Sequence, residues 1–287
     1  NQQSKEGSRR GQYPKRIKEI ELHGSCGMTT FAYGVTQLET LGNVTLINDY
    51  LDLPSRRGNN VTIPHRHGTV FVQKFYDERT IAFGIAVLGT SLADLETKMA
   101  TIHGLFSEQT QQTLTIVYGD TTTKTALVTI DKPLQVQRTG SLARIVVEMT
   151  MTEPFFRLST PIADNTVTPN SNDFHFHVTN PGTVEERNPT IILTGLYTTS
   201  TTITNSTNGA VLIYTGTIAA TDTVTIGTLN GEFYATHSVS GNVIGNVTHS
   251  GSSALMPFSV GLNEMQIASA GQGGDTRVKV TFNAPFI

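Results

Sequence analysis

The chain has 287 residues, a formal charge of −3, one cysteine and no tryptophan. That length accommodates two ordinary domains, because single cores rarely grow past roughly 250–300 residues. The lone Cys26 excludes an intrachain disulfide or a cysteine-based zinc knuckle, and the near-neutral balance excludes a whole-molecule electrostatic footprint for nucleic acid or membrane.

Charge is unevenly spread: residues 1–159 hold 17 Lys/Arg against 15 Asp/Glu, whereas residues 160–287 hold 3 against 8. Residues 1–16 are polar and basic, with too little apolar surface to offset the entropy of ordering, and read as a flexible basic arm. No apolar core follows these basic residues and no run of about 18 apolar residues occurs. The expectation is a soluble, intracellularly made chain without a signal peptide or membrane span.

From Ile17 the pattern alternates, over 17–22 and again over 70–75, as half-buried strands do. Segments 80–88, 114–118, 126–130 and 143–151 continue a strand series. One segment breaks the rhythm. Ser91 and Asp94 form a capping pattern, Leu92, Leu95, Met99 and Ile102 recur at helical spacing, and Gly104 supplies a stop. A helix over 91–103 is expected to lay its apolar stripe on a sheet.

Three prolines and many Asn, Asp, Ser and Thr between residues 154 and 189 mark a linker, set at 161–188. Residues 17–160 read as the first domain and 189–287 as the second. Beyond Pro189 no helical period appears. Asn208-Gly209 and Asn230-Gly231 each separate two alternating runs, the hairpin signal that follows from the positive φ values of a type I′ turn. The fold class is therefore mainly β: an N-terminal β-sandwich-like domain with one α-helix, then a C-terminal antiparallel β-sandwich. The threonine-rich run 198–207 suits the solvated face of a strand.

Residues 53–89 read LPSRRGNNVTIPHRHGTVFVQKFYDERTIAFGIAVLG. Within them Arg57, Gly58, Arg66, Gly68, Tyr76, Asp77, Glu78 and Arg79 resemble a pattern of the siphophage distal tail protein (Dit) family: arginine-glycine steps, a Tyr-Asp-Glu-Arg turn and an apolar strand. NPGTVEERNPTIILTG, residues 180–195, is similar to that family's lead-in to its C-terminal sandwich, and FSVGLNEMQI, residues 258–267, to a turn near its last strands. Arg187-Asn188 before Pro189 and the basic arm depart from the pattern.

The resemblance implies a galectin-like C-terminal sandwich and a structural virion protein at the tail tip, not an enzyme, with no cofactor. It further implies a hexameric ring that joins the tail tube protein on one face to tail-tip or hub proteins on the other. The N-terminal domains would line a channel through which DNA passes without tight binding. The basic arm has no assigned role in this picture. Tyr76 to Arg79 are the first candidates for an inter-subunit contact.

Other chemistry has less support. His65/His67 and His175/His177 each place two imidazoles on one strand face, but no third ligand is identifiable near either pair, and alternation with Phe174 and Phe176 places the second pair on a solvent face. Asp77 and Glu78 are adjacent on a turn and lack a nucleophile or second carboxylate at useful spacing; Asp77 reads as a turn cap and Arg79 as an ion-pair partner for nearby carboxylates. Gly271, Gly273 and Gly274 precede neither Lys-Ser/Thr nor a helix and form a loop, not a phosphate cradle. A carbohydrate-binding sandwich used in host-surface adhesion is the alternative reading, with Tyr197, Tyr214 and Tyr234 as its only tyrosine platforms; a sheet-rich hydrolase is a third.

Overall fold

The computed structural model describes residues 29–47, 52–58, 60–62, 67, 69–70, 72, 74–162, 166–229, 232–250, 255–269, 271, 273 and 276–287. The arm over 1–16, the alternating segment 17–22, Cys26, His65, Arg66, Gly68 and Gly274 lie outside the described residues.

Strand alternation builds two separate apolar cores. In the strand Leu142–Met151 the inward residues Ala143, Ile145, Val147, Met149 and Met151 are buried. It pairs along its whole length with Arg79–Leu88, in register from Leu142 opposite Leu88 to Met151 opposite Arg79. These two are the middle of a four-stranded sheet whose outer members are Gln135–Thr139 and Asn43–Leu46. A second sheet packs on the same core, in the order Thr36–Gln37, Thr30–Tyr33, Gln112–Val117, Thr123–Val128, Phe156–Leu158 and Pro285–Phe286.

The helix spans Leu92–Phe106. Its start follows the sequence: the Asp94 N–H donates to Ser91 Oγ at 3.2 Å, and the Asp94 carboxylate accepts the Thr90 N–H at 2.8 Å, so two groups at the N-terminus are satisfied. Its end does not. The helix runs through Gly104 because Phe106, in the next half-turn, is buried against Tyr33 with ring centroids 5.3 Å apart, and that packing outweighs the intrinsic cost of a helical glycine. The buried stripe is Leu95, Ile102 and Phe106, while Leu92 at the first position remains 52% exposed.

The second core lies between two five-stranded antiparallel sheets. One orders as Asp173–Asn180, Gly261–Ser269, Thr201–Asn205, Ala210–Tyr214 and Val247–His249; the other as Gly241–Asn242, Glu232–His237, Thr223–Leu229, Thr190–Thr194 and Arg277–Thr281. The segment 161–188, expected as a linker, thus carries a full strand whose Phe176 and Val178 are buried. Short-range composition suggested a break there because polar residues occupy the outward positions of an edge strand.

Other local expectations are refined. The hairpin at 230–231 has a two-residue connection, with Leu229 opposite Glu232. The one at 208–209 is a four-residue loop, since Asn205 pairs with Ala210; Asn205 Oδ1 accepts the Thr207 N–H at 3.1 Å, and Gly209 alone takes a positive φ of 77°. Segment 70–75 is not one strand but two short pieces, Thr69–Val70 and Phe75–Tyr76, that pair with different partners. In the threonine run Thr201 faces inward and is fully buried, as is Asn205, so half of this strand is core and not solvated face.

Candidate functional site at the waist between the two cores

Three consecutive residues organise the place where the chain leaves the first core. The ring of Phe155 meets that of Tyr76 edge-on at 5.6 Å. Phe156, buried, lies under the guanidinium of Arg79 at 5.3 Å. Arg157 reaches across to the second core. Alternation along a strand explains the division of labour: neighbours point to opposite faces, so 155 and 157 open toward the waist while 156 turns inward.

The Arg157 guanidinium is the centre of this waist. Its Nε and Nη2 donate to the Glu153 carboxylate, its Nη1 donates to Glu186 and to the Asn283 carbonyl, and the last bond is 2.9 Å long. Glu186 is 1% exposed, and its other carboxylate oxygen accepts the Asn188 N–H at 2.7 Å. Burial by itself lowers the Arg157 pKa, but the hydrogen bond it donates to Glu153 and the charges of Glu186 and Glu153 more than offset it, and the net shift is upward. The guanidinium is a permanent cation in a planar fork, suited to holding two carboxylates and a carbonyl at once.

The chain terminus adds a second tie. Pro285–Phe286 returns from the second core and pairs with Phe156–Leu158 of the first. The Lys124 ammonium sits 4.2 Å from the Phe286 ring and 4.8 Å from that of Tyr118; burial lowers its pKa, with Asp120 acting in the opposite sense. Gly182 is glycine because a Cβ there would come within 2.2 Å of the Pro285 carbonyl oxygen.

The residues singled out from the sequence fall on the first-core side of the waist. Arg56–Arg57 pairs with Phe75–Tyr76, with Arg57 opposite Phe75 and Arg56 opposite Tyr76. Gly58 follows at φ 119°, a conformation that strongly favours glycine. The Arg56 guanidinium lies 5.1 Å from the Tyr76 ring centroid and donates to its hydroxyl at 3.2 Å. At the turn the Asp77 N–H donates to the Ser55 carbonyl, and Asp77 Oδ1 accepts the Glu78 N–H at 3.1 Å, which is the side-chain cap expected of it. Arg79 is 5% exposed and donates to the Asp52 carbonyl, which anchors the ribbon to the core.

Two clefts flank Arg157. One, of about 520 Å³, is lined by Arg57, Lys74, Phe75, Tyr76, Phe155 and the 184–188 segment. The other, of about 700 Å³, is lined mainly by Thr, Asn and Gln side chains including Thr152, Asn188, Thr190, Thr228 and Asn283. Within the first cleft the charged groups engage each other, Arg187 with Glu185 at 3.2 Å and Arg157 with Glu153 and Glu186. The arrangement locks two bodies together and does not pair a nucleophile with a base. Sequence reasoning missed Arg157 and Glu186 because they are 29 positions apart and carry no local pattern.

Of the three tyrosines considered as a sugar platform, Tyr234 is half-buried and the other two are core residues. Tyr197 and Tyr214 are 0% and 2% exposed in the second core; burial raises the Tyr197 pKa, and its hydroxyl donates to the Arg277 carbonyl at 3.2 Å. The glycine loop packs on 196–198, where the Gly273 N–H donates to the Leu196 carbonyl at 3.1 Å.

Residues 38–151, which contain the Arg56–Arg57 ribbon, the Tyr-Asp-Glu-Arg turn and the helix, match the model of the phage tail protein RIFT-related domain. This part of the chain is similar to a phage tail domain. Its likeness extends past that segment in three dimensions. The Dit protein of phage SPP1, described as a paradigm of the hub adsorption apparatus in phages that infect Gram-positive hosts, superimposes with a TM-score of 0.64 at 15% identity, over 91% of this chain and 100% of that one. Over that 91% the chain, both sandwiches included, shares the fold of that Dit protein, as the sequence motifs implied. Chains of the phage P2 baseplate in its activated conformation with Ca or Sr are more distant, with TM-scores of 0.45 and 0.41, identities of 10% and 12%, and coverage of 91% of this chain and 100% of each. No curated protein matches the chain significantly.

Proposed function

We propose that the chain is a distal tail hub protein whose copies close into a ring, six in number, at the tip of a siphophage tail. The ring joins the tail tube protein on one face to tail-tip proteins on the other and leaves a channel for DNA. Residues 17–160 build the ring and residues 189–287 project from it. Its role is structural, not catalytic.

The observation that carries this reading is the pair of edges on the four-stranded sheet. Among the described residues, Gln135–Thr139 and Asn43–Leu46 are its outer strands, at opposite ends, and all five residues of the first are exposed. Among the described residues each of these outer strands has one edge without a partner strand, and the two edges present different surfaces. Head-to-tail pairing of those edges is a heterologous contact that closes into a ring when its rotation divides a full turn, and it satisfies N–H and C=O groups that are otherwise an aggregation hazard. Permanent interfaces of this kind bury about 2,000 Å² or more. The near-neutral charge suits passage of DNA better than its retention.

The test is light scattering with negative-stain imaging of the intact protein, alone and mixed with tail tube and tail-tip partners. Rings are expected. A monomer under both conditions rules the reading out.

A further inference from the structure

The strand Asp173–Asn180 is an edge strand, and its outward face carries Asp173, His175 and His177. Pairing with Gly261–Ser269 sets Gln266 directly opposite His175 and Glu264 directly opposite His177. Asp173, His175, His177 and Glu264 are exposed and Gln266 is half-buried, so the arrangement of the four is not forced by core packing. His175 Nε2 faces Asp173 Oδ1 at 3.6 Å, and His175 Nδ1 faces Glu264 Oε1 at 3.5 Å. Gln266 Nε2 in turn donates to the same Asp173 oxygen at 2.7 Å.

An imidazole whose proton is held on one nitrogen presents the lone pair of the other, and that nitrogen can ligate a metal ion. Two ligands of a tetrahedral zinc, each about 2.1 Å from the ion, stand about 3.4 Å apart, which is close to the 3.5 Å between His175 Nδ1 and Glu264. The third donor is at hand, because directly opposite residues on an antiparallel pair have Cβ atoms about 4.5–5.5 Å apart, and His177 is the residue opposite Glu264.

We infer that His175, His177 and Glu264 form a binding site for a divalent transition ion on the exposed face of the second sandwich. Two imidazoles and one carboxylate suit zinc, nickel or copper better than calcium or magnesium. Asp173, held by Gln266, is the positioning residue: its Oδ1 faces His175 Nε2 at 3.6 Å, and when it closes to accept the Nε2–H the Nδ1 lone pair is aimed at the ion. Among the described residues no three donors already share one centre, so binding requires the exposed His177 and Glu264 side chains to turn toward each other. The ion staples the edge strand to its neighbour and keeps a fourth position toward solvent.

The experiment is isothermal titration of the full chain with zinc chloride, with circular dichroism to confirm that each variant is folded. One zinc bound per chain is expected, at least 10-fold weaker in His175→Ala, His177→Ala and Glu264→Gln, and unchanged in His67→Ala, an exposed histidine elsewhere. Asp173→Asn weakens binding about 10-fold with all three donors intact. Absence of binding by the unaltered protein overturns the assignment, as does unchanged binding by a variant lacking both His175 and His177. Loss of binding in His67→Ala alone overturns it too, by moving the ion to the other histidine pair.

Discussion

Arg157, on the last internal strand of the first core, holds the carboxylate of Glu186, a residue of the second core that is 1% exposed. The pair is the electrostatic rivet of the waist. Its strength comes from the fork of Arg157, which also holds Glu153 and the Asn283 carbonyl, so that few of its N–H groups are left for water.

Removing one member leaves the other buried and uncompensated. Arg157→Met is therefore expected to destabilise the protein by about 3–5 kcal/mol, whereas Glu186→Gln, which keeps the acceptor for the Asn188 N–H, costs less. Urea denaturation of both variants checks the order. Equal losses, or a negligible loss in Arg157→Met, would show that the waist is held by the terminal strand alone.

The helix offers a paired test of which residues carry it. Leu95→Ala, at a 1% exposed position, should cost about 2–5 kcal/mol. Leu92→Ala, at a position 52% exposed, should fall within about 0.5 kcal/mol of the unaltered protein. Thermal melts that reverse this order would place the stripe on the wrong face.

Asp94 makes the helix start sensitive to acid. The Thr90 backbone N–H first, then the Lys98 side chain, holds its carboxyl below the usual range. A folded-state value lower than the unfolded one stabilises the fold above the unfolded value, about pH 4, and that contribution is lost as pH falls through the folded value. The Thr90 amide resonance should therefore titrate below about pH 4, and Asp94→Asn should abolish that step.

In the second core Thr201 lies directly opposite Ser269, and, among the described residues, neither hydroxyl has a hydrogen-bond partner. A buried, unanswered hydroxyl costs about 1–3 kcal/mol. Thr201→Val, of nearly the same shape, should raise stability by about 1 kcal/mol. A lower melting temperature in that variant would mean that the two hydroxyls share a bound water.

Val136 tests the ring-forming edge. It lies on Gln135–Thr139 and is 41% exposed, so Val136→Lys should leave monomer stability within about 0.5 kcal/mol while lowering the ring fraction, since charges on an edge oppose strand pairing. Size-exclusion chromatography with light scattering reads the ring, and a urea melt reads the fold. Rings undiminished by the lysine would assign the interface to another surface.

The sequence by itself determined what depends on neighbours along the chain. The apolar pattern marked strands at 80–88 and 143–151, Ser91 with Asp94 set the helix start, and Asn230-Gly231 marked a hairpin, because backbone geometry repeats locally. The motifs at 180–195 and 258–267 were legible as a lead-in to the second sandwich and a turn near its last strands, but not that Asn180 Nδ2 donates to the Phe258 carbonyl at 3.1 Å and joins them across 78 residues. Tertiary structure alone decided that Tyr197 and Tyr214 are core and not platform, that Phe106 carries the helix past Gly104, and that Glu264 stands beside two histidines. It also decided that Arg157 meets Glu186. Such contacts depend on sheet register and on which faces pack, and those are fixed by burying two whole cores, not by the residues on either side.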